Sequence, residues 1–255
     1  MYLIEFFKKS KSTLIFIFFF TIIFVPVLYF LVKPKSQLPV YNPVDVNPRL
    51  VDDAVKHISR DHRIGDFYLV NQSGQEISSK DFEGKIYIAD FFFTRCQTIC
   101  PIMAINMAEL QEHYKNDPDI KFLSHSVTPV IDSVPVLRAY ADKNKAIDGK
   151  WEITTGDKRH NYELARKSYF AVLDEGDGGE QDFIHTEQFI LVDQKMQIRG
   201  FYDGTDATEM DRLINDVAIL KREELDILST SPFIFTFVTN IIFKRNILCN
   251  FVQYL

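Results

Sequence analysis

The sequence predicts an α/β domain built on a mixed β-sheet, with one membrane-spanning helix in front of it. Three observations support this fold class. Strand-like and helix-like segments alternate from residue 67 to residue 222, which is typical of layered α/β domains. The alternation finishes with a hairpin and a helix, which adds antiparallel strands to the sheet. An uncharged run of residues, from Thr13 to Val32, precedes the domain.

The uncharged run has the length of a membrane span. At 1.5 Å rise per residue, about 20 apolar residues cross a bilayer core of roughly 30 Å. A cleaved signal peptide has a shorter apolar region, of about 7–15 residues, which ends in small residues. This run ends in Tyr29, Phe30, Leu31 and Val32. We therefore expect an uncleaved signal anchor over residues 13–32. Lysines lie on both sides of it, so the positive-inside bias is weak.

The regions around the domain differ from it in composition. We expect residues 1–12 in the cytoplasm and the domain on the extracytoplasmic (periplasmic) side of the cell membrane. Residues 33–47 contain three prolines and no apolar period, which indicates a linker. The domain is predicted over residues 48–224. Residues 225–255 form an apolar tail, whose apolar core is too short to cross a bilayer, and the sequence predicts no role for it.

Seven segments have the composition of strands. The third is almost continuously apolar, as expected for a central strand that is buried on both faces. Short turns join the first two and the last two segments into hairpins. The predicted strands are Phe67–Val70, Gln75–Ile77, Lys85–Phe93, Ile120–Val127, Trp151–Thr154, Gln188–Val192 and Gln197–Phe201.

Four segments have helical character. In the first, apolar residues recur at intervals typical of one helix face. Pro135 is compatible with the first turn of the second helix, where no backbone N–H is required. The predicted helices are Ile102–Tyr114, Val134–Lys145, Asn161–Phe170 and Ala207–Arg222.

Two of the three cysteines, Cys96 and Cys100, follow the predicted central strand directly, in the sequence FFFTRCQTICP. A spacing of four places two side chains on one face of a helix, so we expect the two thiols to be neighbours there. Such a pair can form a disulfide or supply two thiolates to one metal ion. A helix N-terminus favours the thiolate and lowers the pKa of a cysteine. Soft thiolates prefer Cu(I) or Zn(II) to hard cations.

Other interpretations of the cysteines are weaker. Buried, unreactive cysteines are common, but two of them four apart at a strand-to-helix junction favour chemistry. A purely structural disulfide is disfavoured because closing so short a loop constrains little of the unfolded chain. Cys249 lies in the tail and is expected to be separate from this pair.

A metal site needs further ligands, and the chain has six histidines. His185 comes just before the strand that opens the last hairpin, so it can face the helix N-terminus that carries the cysteines. Its position alone leaves a ligand role and a structural role open. The others have positions typical of surface or structural residues: His57, His62, His113, His125 and His160.

The overall charge excludes one class of partner. The formal net charge is -6 and the chain has 25% charged residues. Nucleic-acid binding needs a basic surface to neutralise phosphates, and the soluble part has no basic stripe. We therefore expect no nucleic-acid partner.

The motifs together resemble the Sco (SenC/PrrC) family of copper proteins, over about residues 66–218. The strand and cysteine motif is GKIYIADFFFTRCQTICP, and SVTPVIDSVPVLRAYADK, WEITTGD and DFIHTEQFILVDQKMQIRGFYDGT follow it. A three-residue cysteine spacer with a distant histidine is more specific than a cysteine pair alone. The resemblance implies a thioredoxin-like fold, and an N-terminal membrane anchor is also typical of the family.

The resemblance also implies a site and partners. Cys96, Cys100 and His185 correspond to the copper ligands of the family, and this donor set suits Cu(I) or, with an added ligand, Cu(II). The family is associated with maturation of the binuclear copper centre of cytochrome c oxidase, so the copper-bearing subunit of the oxidase, or another copper protein, is the expected partner. Because oxidising compartments favour disulfides, we also expect a thiol reductase outside the membrane.

Three features depart from the family pattern. Gln97 follows the first cysteine, where the family usually has proline. Thr128 stands in Val127-Thr128-Pro129, where the family usually has Val-Asp-Pro, so an acidic group that would tune the metal is missing. Asp132 remains nearby in the sequence. The apolar tail is the third departure.

Several functions fit these features. The first is a copper chaperone, which binds and transfers copper. The second is a thiol–disulfide oxidoreductase that reduces the cysteines of a copper-protein partner, and one protein can do both. A peroxidase on the same fold and a redox or copper sensor are weaker alternatives. Whether the protein is an enzyme is left open at this point.

Overall fold

The computed structural model describes residues 18–26, 28, 37–51, 54–171 and 186–230, with the side chains of the last range described to residue 225. The chain separates into two compact units, Met1–Gln37 and Leu38–Leu255. His185, Cys249, residues 1–12 and most of the tail lie outside the described residues.

The first unit contains part of the predicted membrane anchor. Residues 18–26 and 28 are helical, and large apolar side chains among them are exposed. Within the described part of the chain, no helix combines the length and the apolar character that a membrane crossing needs. Residues 13–32 fall only partly within that part, so the anchor stays a prediction.

A mixed sheet forms the centre of the second unit. Its described strands are β1 (Tyr68–Asn71), β2 (Glu76–Ser78), β3 (Ile86–Phe92), β4 (Ile120–Ser126), β5 (Trp151–Thr155), β6 (Gln188–Val192) and β7 (Ile198–Asp203). Their order is β2-β1-β5-β4-β3-β6-β7. Strand β4 pairs parallel with β3 and β5, whereas the other pairs are antiparallel. The predicted mixed sheet is confirmed.

Four α-helices accompany these strands in the described residues. They are α1 (Cys100–His113), α2 (Val134–Lys143), α3 (Lys158–Glu163) and α4 (Ala207–Thr230). The third helix differs from its prediction because it begins earlier and ends at Glu163. A π-helical turn, Leu164–Ser168, follows it, in which the N–H of Tyr169 donates to the carbonyl of Leu164.

Strand β3 is buried over its whole length, as its apolar run predicts. Successive side chains of a strand point to opposite faces, so Tyr87 and Phe91 pack on one face and Ile88 and Phe92 on the other. The first face is covered by α3 and the π-helical turn, and the second by α1, α2 and α4. Burial of each large apolar side chain contributes about 1.5–3 kcal/mol. The loop that carries the cysteines therefore begins at the end of a fully buried strand.

Part of the predicted linker, from Leu38 onward, belongs to the second unit. The N–H of Tyr41 donates to the carbonyl of Ile198 in β7. Buried Arg199 donates to the carbonyls of Leu38 and Pro39 and forms an ion pair with Glu223 of α4. Residues 38–41 are therefore attached to the domain rather than free of it.

Candidate metal and thiol site

The loop between β3 and α1 brings Cys96 and Cys100 together. The N–H of Cys96 donates to the carbonyl of Phe93 at 3.2 Å, which turns the chain immediately after the strand. Cys100 is the first residue of α1. Its N–H donates to the sulfur of Cys96 at 3.4 Å. The two cysteines are free thiols rather than a disulfide.

The expectation that both cysteines lie on one face of a helix is wrong, because only Cys100 is helical. Ile99 precedes the helix and supplies no side-chain cap. The first N–H groups of a helix lack partners within the helix, and the sulfur of Cys96 takes the place of a cap. The spacing of four brings the thiols together through this capping contact.

The surroundings of Cys96 favour its thiolate. Partial burial raises the pKa of this thiol, but hydrogen bonds from Cys100 and Thr98 outweigh the burial. They come from the thiol and N–H of Cys100 and from the backbone and hydroxyl of Thr98, and the pKa falls to about 7. About half of the Cys96 thiols are therefore ionised at neutral pH.

Cys100 has the opposite character. Its side chain is 4% exposed. Burial is the largest cause that raises its pKa. The hydrogen bond with Cys96 and the charges of Cys96 and Asp90 raise it further, to about 12. The pair thus combines one accessible, partly ionised thiol with one buried, protonated thiol.

A buried polar chain runs beneath this pair. Asp90, in β3, accepts a hydrogen bond from the hydroxyl of Ser124 in β4. Ser124 in turn accepts the indole N–H of Trp151 at 2.9 Å. Burial raises the pKa of Asp90 to about 7, although the bond from Ser124 opposes this shift. The carboxyl group is therefore close to the midpoint of its titration at neutral pH.

A second buried carboxylate lies beside the cysteine loop. Asp132 is 0% exposed. It accepts hydrogen bonds from the hydroxyls of Thr94 at 2.5 Å, Ser126 at 2.6 Å and Thr128 at 2.8 Å. Thr128 is the residue that replaces the usual aspartate of the resembled family, and here it serves as a donor to Asp132.

Tyr140, on α2, is a further buried titratable group near the site. Its ring packs against Phe92 at 4.9 Å between centroids. Burial raises its pKa most, and the charges of Asp90, Cys100 and Cys96 raise it further. The phenol is therefore neutral throughout the physiological range.

The described histidines do not join the cysteines. His62 and His125 are buried, and the Nε2 of His62 donates to the carbonyl of Ser168 at 2.8 Å. His57 is exposed, and His113 ends α1. Over residues 37–51, 54–171 and 186–230, no three His, Cys, Asp or Glu side chains are grouped closely enough to hold a metal ion.

The strand that follows His185 reaches the same end of the sheet as the cysteine loop. Strand β6 is antiparallel to β3, and Ile190 pairs with Ala89. The beginning of β6 therefore lies alongside the end of β3. His185 itself is outside the described residues, so its role as a ligand stays a prediction.

Sequence reasoning singled out the cysteines but missed three surrounding groups. Asp90 was part of an apolar run and carried no signal of its own. Thr94 and Tyr140 gave no motif. The position of Thr94, two residues before Cys96 and next to a strand end, could have pointed to it. Its hydrogen-bond partner, Asp132, lies on another loop and could not be inferred.

Comparisons with known proteins give a family for the domain. The family model SCO1/SenC matches residues 55–221. The SCO1 protein homolog of Bacillus subtilis is 32% identical over 158 residues, which cover 61% of this chain and 81% of the relative.

Solved structures give the same result. A SCO1/SenC family lipoprotein from Bacillus anthracis is 34% identical, with a TM-score of 0.55, over 63% of this chain and 95% of its own. BsSco is a Sco-family protein in which a disulfide switch has been identified. It is 31% identical to this chain, with a TM-score of 0.54, and the match covers 63% of this chain and 94% of BsSco. The predicted thioredoxin-like α/β fold is therefore confirmed.

Proposed function

This chain belongs to the SCO1/SenC family, and from that premise we propose that it is a membrane-anchored copper carrier for cytochrome c oxidase assembly. Copper is its cargo, held as Cu(I) or Cu(II) by Cys96, Cys100 and His185. The solved relative BsSco is described as a member of the Sco family of cytochrome c oxidase assembly proteins, which supports this assignment.

The observation that carries the proposal is the thiol pair at the start of α1. Two free thiols, which are not joined in a disulfide, lie at a helix N-terminus, where thiolates are stabilised. Thiolates are the ligands that Cu(I) prefers. Cys96 is already half ionised at neutral pH, and a bound cation would displace the proton of Cys100.

The sheet register supports His185 as the third ligand. Because β6 begins alongside the end of β3, the residues just before Thr186 need only a short path to the cysteine loop. An imidazole nitrogen together with two sulfurs is a donor set that suits copper.

The anchor and the partners follow from the same proposal. Residues 13–32 would hold the domain at the extracytoplasmic side of the cell membrane. The partner would be the copper-bearing subunit of the oxidase, which receives copper by ligand exchange. An extracytoplasmic thiol reductase would return the cysteines to the dithiol after oxidation, since a disulfide cannot bind copper.

The ligation is tested with a Cys96→Ser, Cys100→Ser double variant of the full chain in detergent. Wild type, reduced and loaded with Cu(I), should retain about one copper per chain after desalting, and the double variant should retain none. Copper retention by the double variant would contradict the proposed ligation.

Thiol–disulfide exchange is a second candidate function, and the unequal thiols favour it. Cys96, as thiolate, would attack a disulfide of a partner, form a mixed disulfide and release one partner thiolate. Cys100 would then attack Cys96, and its proton would pass to the released thiolate. The second partner sulfur leaves as a thiolate and takes a proton from water, so the partner becomes a dithiol. The Cys96–Cys100 disulfide remains, and the reductase must reduce it.

His185→Ala separates the two functions. Copper binding requires an imidazole in the proposed site, whereas exchange requires only the thiols. If His185→Ala abolishes copper retention and leaves the rate of disulfide exchange unchanged, both activities exist and can be assigned. If wild type retains no copper but exchanges disulfides rapidly, the carrier proposal is replaced by the oxidoreductase.

A further inference from the structure

A buried carboxylate, that of Asp132, connects the loop that carries Cys96 to the loop after β4. Asp132 lies in the loop after β4, and Thr94 lies in the loop after β3. The hydroxyl of Thr94 donates to one carboxylate oxygen of Asp132, Oδ1, at 2.5 Å. The other oxygen, Oδ2, accepts from Ser126 and Thr128 at 2.6 and 2.8 Å.

The carboxylate is itself held in place. The N–H of Asp132 donates to the carbonyl of Thr128, and the N–H of Thr128 donates to the hydroxyl of Ser126. Ser126 ends β4 and pairs with Phe92 at the end of β3. Within the described residues no basic side chain forms an ion pair with Asp132, so the three hydroxyl groups stabilise its charge.

The contact to Thr94 acts on Cys96 because the two residues share one turn. The N–H of Cys96 donates to the carbonyl of Phe93, directly before Thr94. A fixed Thr94 side chain therefore fixes the turn, and the turn sets how closely the Cys96 sulfur approaches the N–H of Cys100.

We propose that Asp132 is a positioning residue for the reacting thiol, acting through Thr94 to hold the sulfur of Cys96 against the N-terminus of α1. The proposal deepens the proposed function and rests on it, because Cys96 is taken as the thiol that reacts with copper or with a partner. Buried charge-assisted hydrogen bonds are strong and directional, which suits this role better than a loop contact through apolar packing.

Two isosteric substitutions distinguish a role of Asp132 in positioning Cys96 from a role in stabilising the fold only. Thr94→Val removes the hydrogen bond from the cysteine loop to Asp132. Thr128→Val removes a hydrogen bond to the same carboxylate from outside that loop, and both threonines are half-buried. Thr94→Ser keeps the hydroxyl and should restore wild-type behaviour.

The readout is the rate at which iodoacetamide alkylates Cys96 at pH 7 in the metal-free, reduced full chain, resolved from the other cysteines by peptide mass spectrometry. Thr94→Val should slow it about twofold, because a sulfur that is no longer held at the helix N-terminus loses part of the stabilisation of its thiolate. Thr94→Ser and Thr128→Val should stay at the wild-type rate. Thr128→Val should lower the unfolding temperature about as much as Thr94→Val, because each removes one hydrogen bond from the same buried carboxylate.

The proposal is overturned if Thr94→Val leaves the rate unchanged, or if Thr128→Val slows it equally. Asp132 would then only stabilise the fold. Because the rate is measured without metal, it is independent of copper retention. A failure of the copper-carrier function would appear as absent copper in wild type, with the alkylation rates unaffected.

Discussion

His125 and Cys96 are both side chains of metal-binding type, yet their surroundings give them opposite properties. His125 is 0% exposed and stacks on Phe91 with 5.0 Å between ring centroids. Burial, and next the charge of His160, lower its pKa to about 3. Its Nδ1 has no hydrogen-bond partner among the described residues. Cys96 is only partly buried and is surrounded by hydrogen-bond donors.

The difference shows what converts a titratable side chain into a reactive one. Desolvation without a negatively charged partner keeps the imidazole neutral, so His125 serves the core. A helix N-terminus at the surface stabilises the charged form of the thiol and leaves it accessible. Residue type alone therefore does not identify a site, whereas access together with hydrogen-bond donors does.

The largest expected effect tests the core around His125. Phe91→Ala removes a buried ring that contacts both His125 and Tyr169, and should lower the free energy of unfolding by about 3–5 kcal/mol. Unfolding is followed by the fluorescence of Trp151, the only tryptophan of the chain. Tyr68→Ala, at a 71% exposed aromatic residue, is the control and should change little. A small effect of Phe91→Ala would mean that this face can repack.

The next effect compares the two thiols. With pKa values of about 7 and about 12, Cys96 should react with iodoacetamide at least about 100-fold faster than Cys100 at pH 7. The Cys96 rate should rise with pH, with its midpoint near pH 7, because the thiolate is the nucleophile. Peptide mass spectrometry after timed quenching measures both rates. Equal rates would show that the helix N-terminus does not distinguish the thiols.

A smaller effect concerns stability in acid. The folded pKa of His125 lies below its ordinary value of 6.5, so the unfolded state takes up the proton first as the pH falls. The contribution of His125 to the free energy of unfolding should therefore decrease on acidification, by about 1 kcal/mol between pH 7.5 and pH 5.5. Asp90, whose pKa is raised to about 7, contributes in the opposite direction over the same range, so the effect of His125 is measured as a difference between variants. His125→Leu should remove this part of the pH dependence. An unchanged slope in His125→Leu would assign the acid sensitivity to other groups.

The smallest effect is the number of protons released by copper. At pH 7 Cys96 is half ionised and Cys100 is protonated, so Cu(I) binding to both sulfurs should release about 1.5 protons. At pH 9 the number should fall to about one, because Cys96 has already lost its proton. Titration of the metal-free protein in weak buffer with a pH indicator counts them. Release of the same number at both values would contradict the unequal thiols.

Much of the fold followed from the sequence because local patterns encode it. The apolar run of β3 predicted a strand buried on both faces, and the turn residues predicted both hairpins. The π-helical turn after α3 was missed. Tyr169, which follows this turn, forms a hydrogen bond between its hydroxyl and that of Tyr87 across the core at 3.0 Å. Such a contact between distant segments leaves no local period.

The site was predicted less completely than the fold. The spacing of Cys96 and Cys100 correctly predicted neighbouring thiols, but for the wrong reason. The two residues do not share a helix face; instead, the sulfur of Cys96 caps the helix that begins at Cys100. The hydrogen bond from Thr94 to Asp132 joins loops 38 residues apart and could not be inferred from either motif. Asp90 was hidden in an apolar strand, where only burial reveals its raised pKa.

The central claim is that His185 completes a copper site with the two cysteines. The most direct measurement is the copper content of the reduced full chain in detergent, for wild type, His185→Ala and His57→Ala, where His57 is an exposed histidine that serves as the matched control. The account predicts about one copper per chain in wild type and in His57→Ala, and a loss or strong weakening in His185→Ala. Full copper retention by His185→Ala would contradict it.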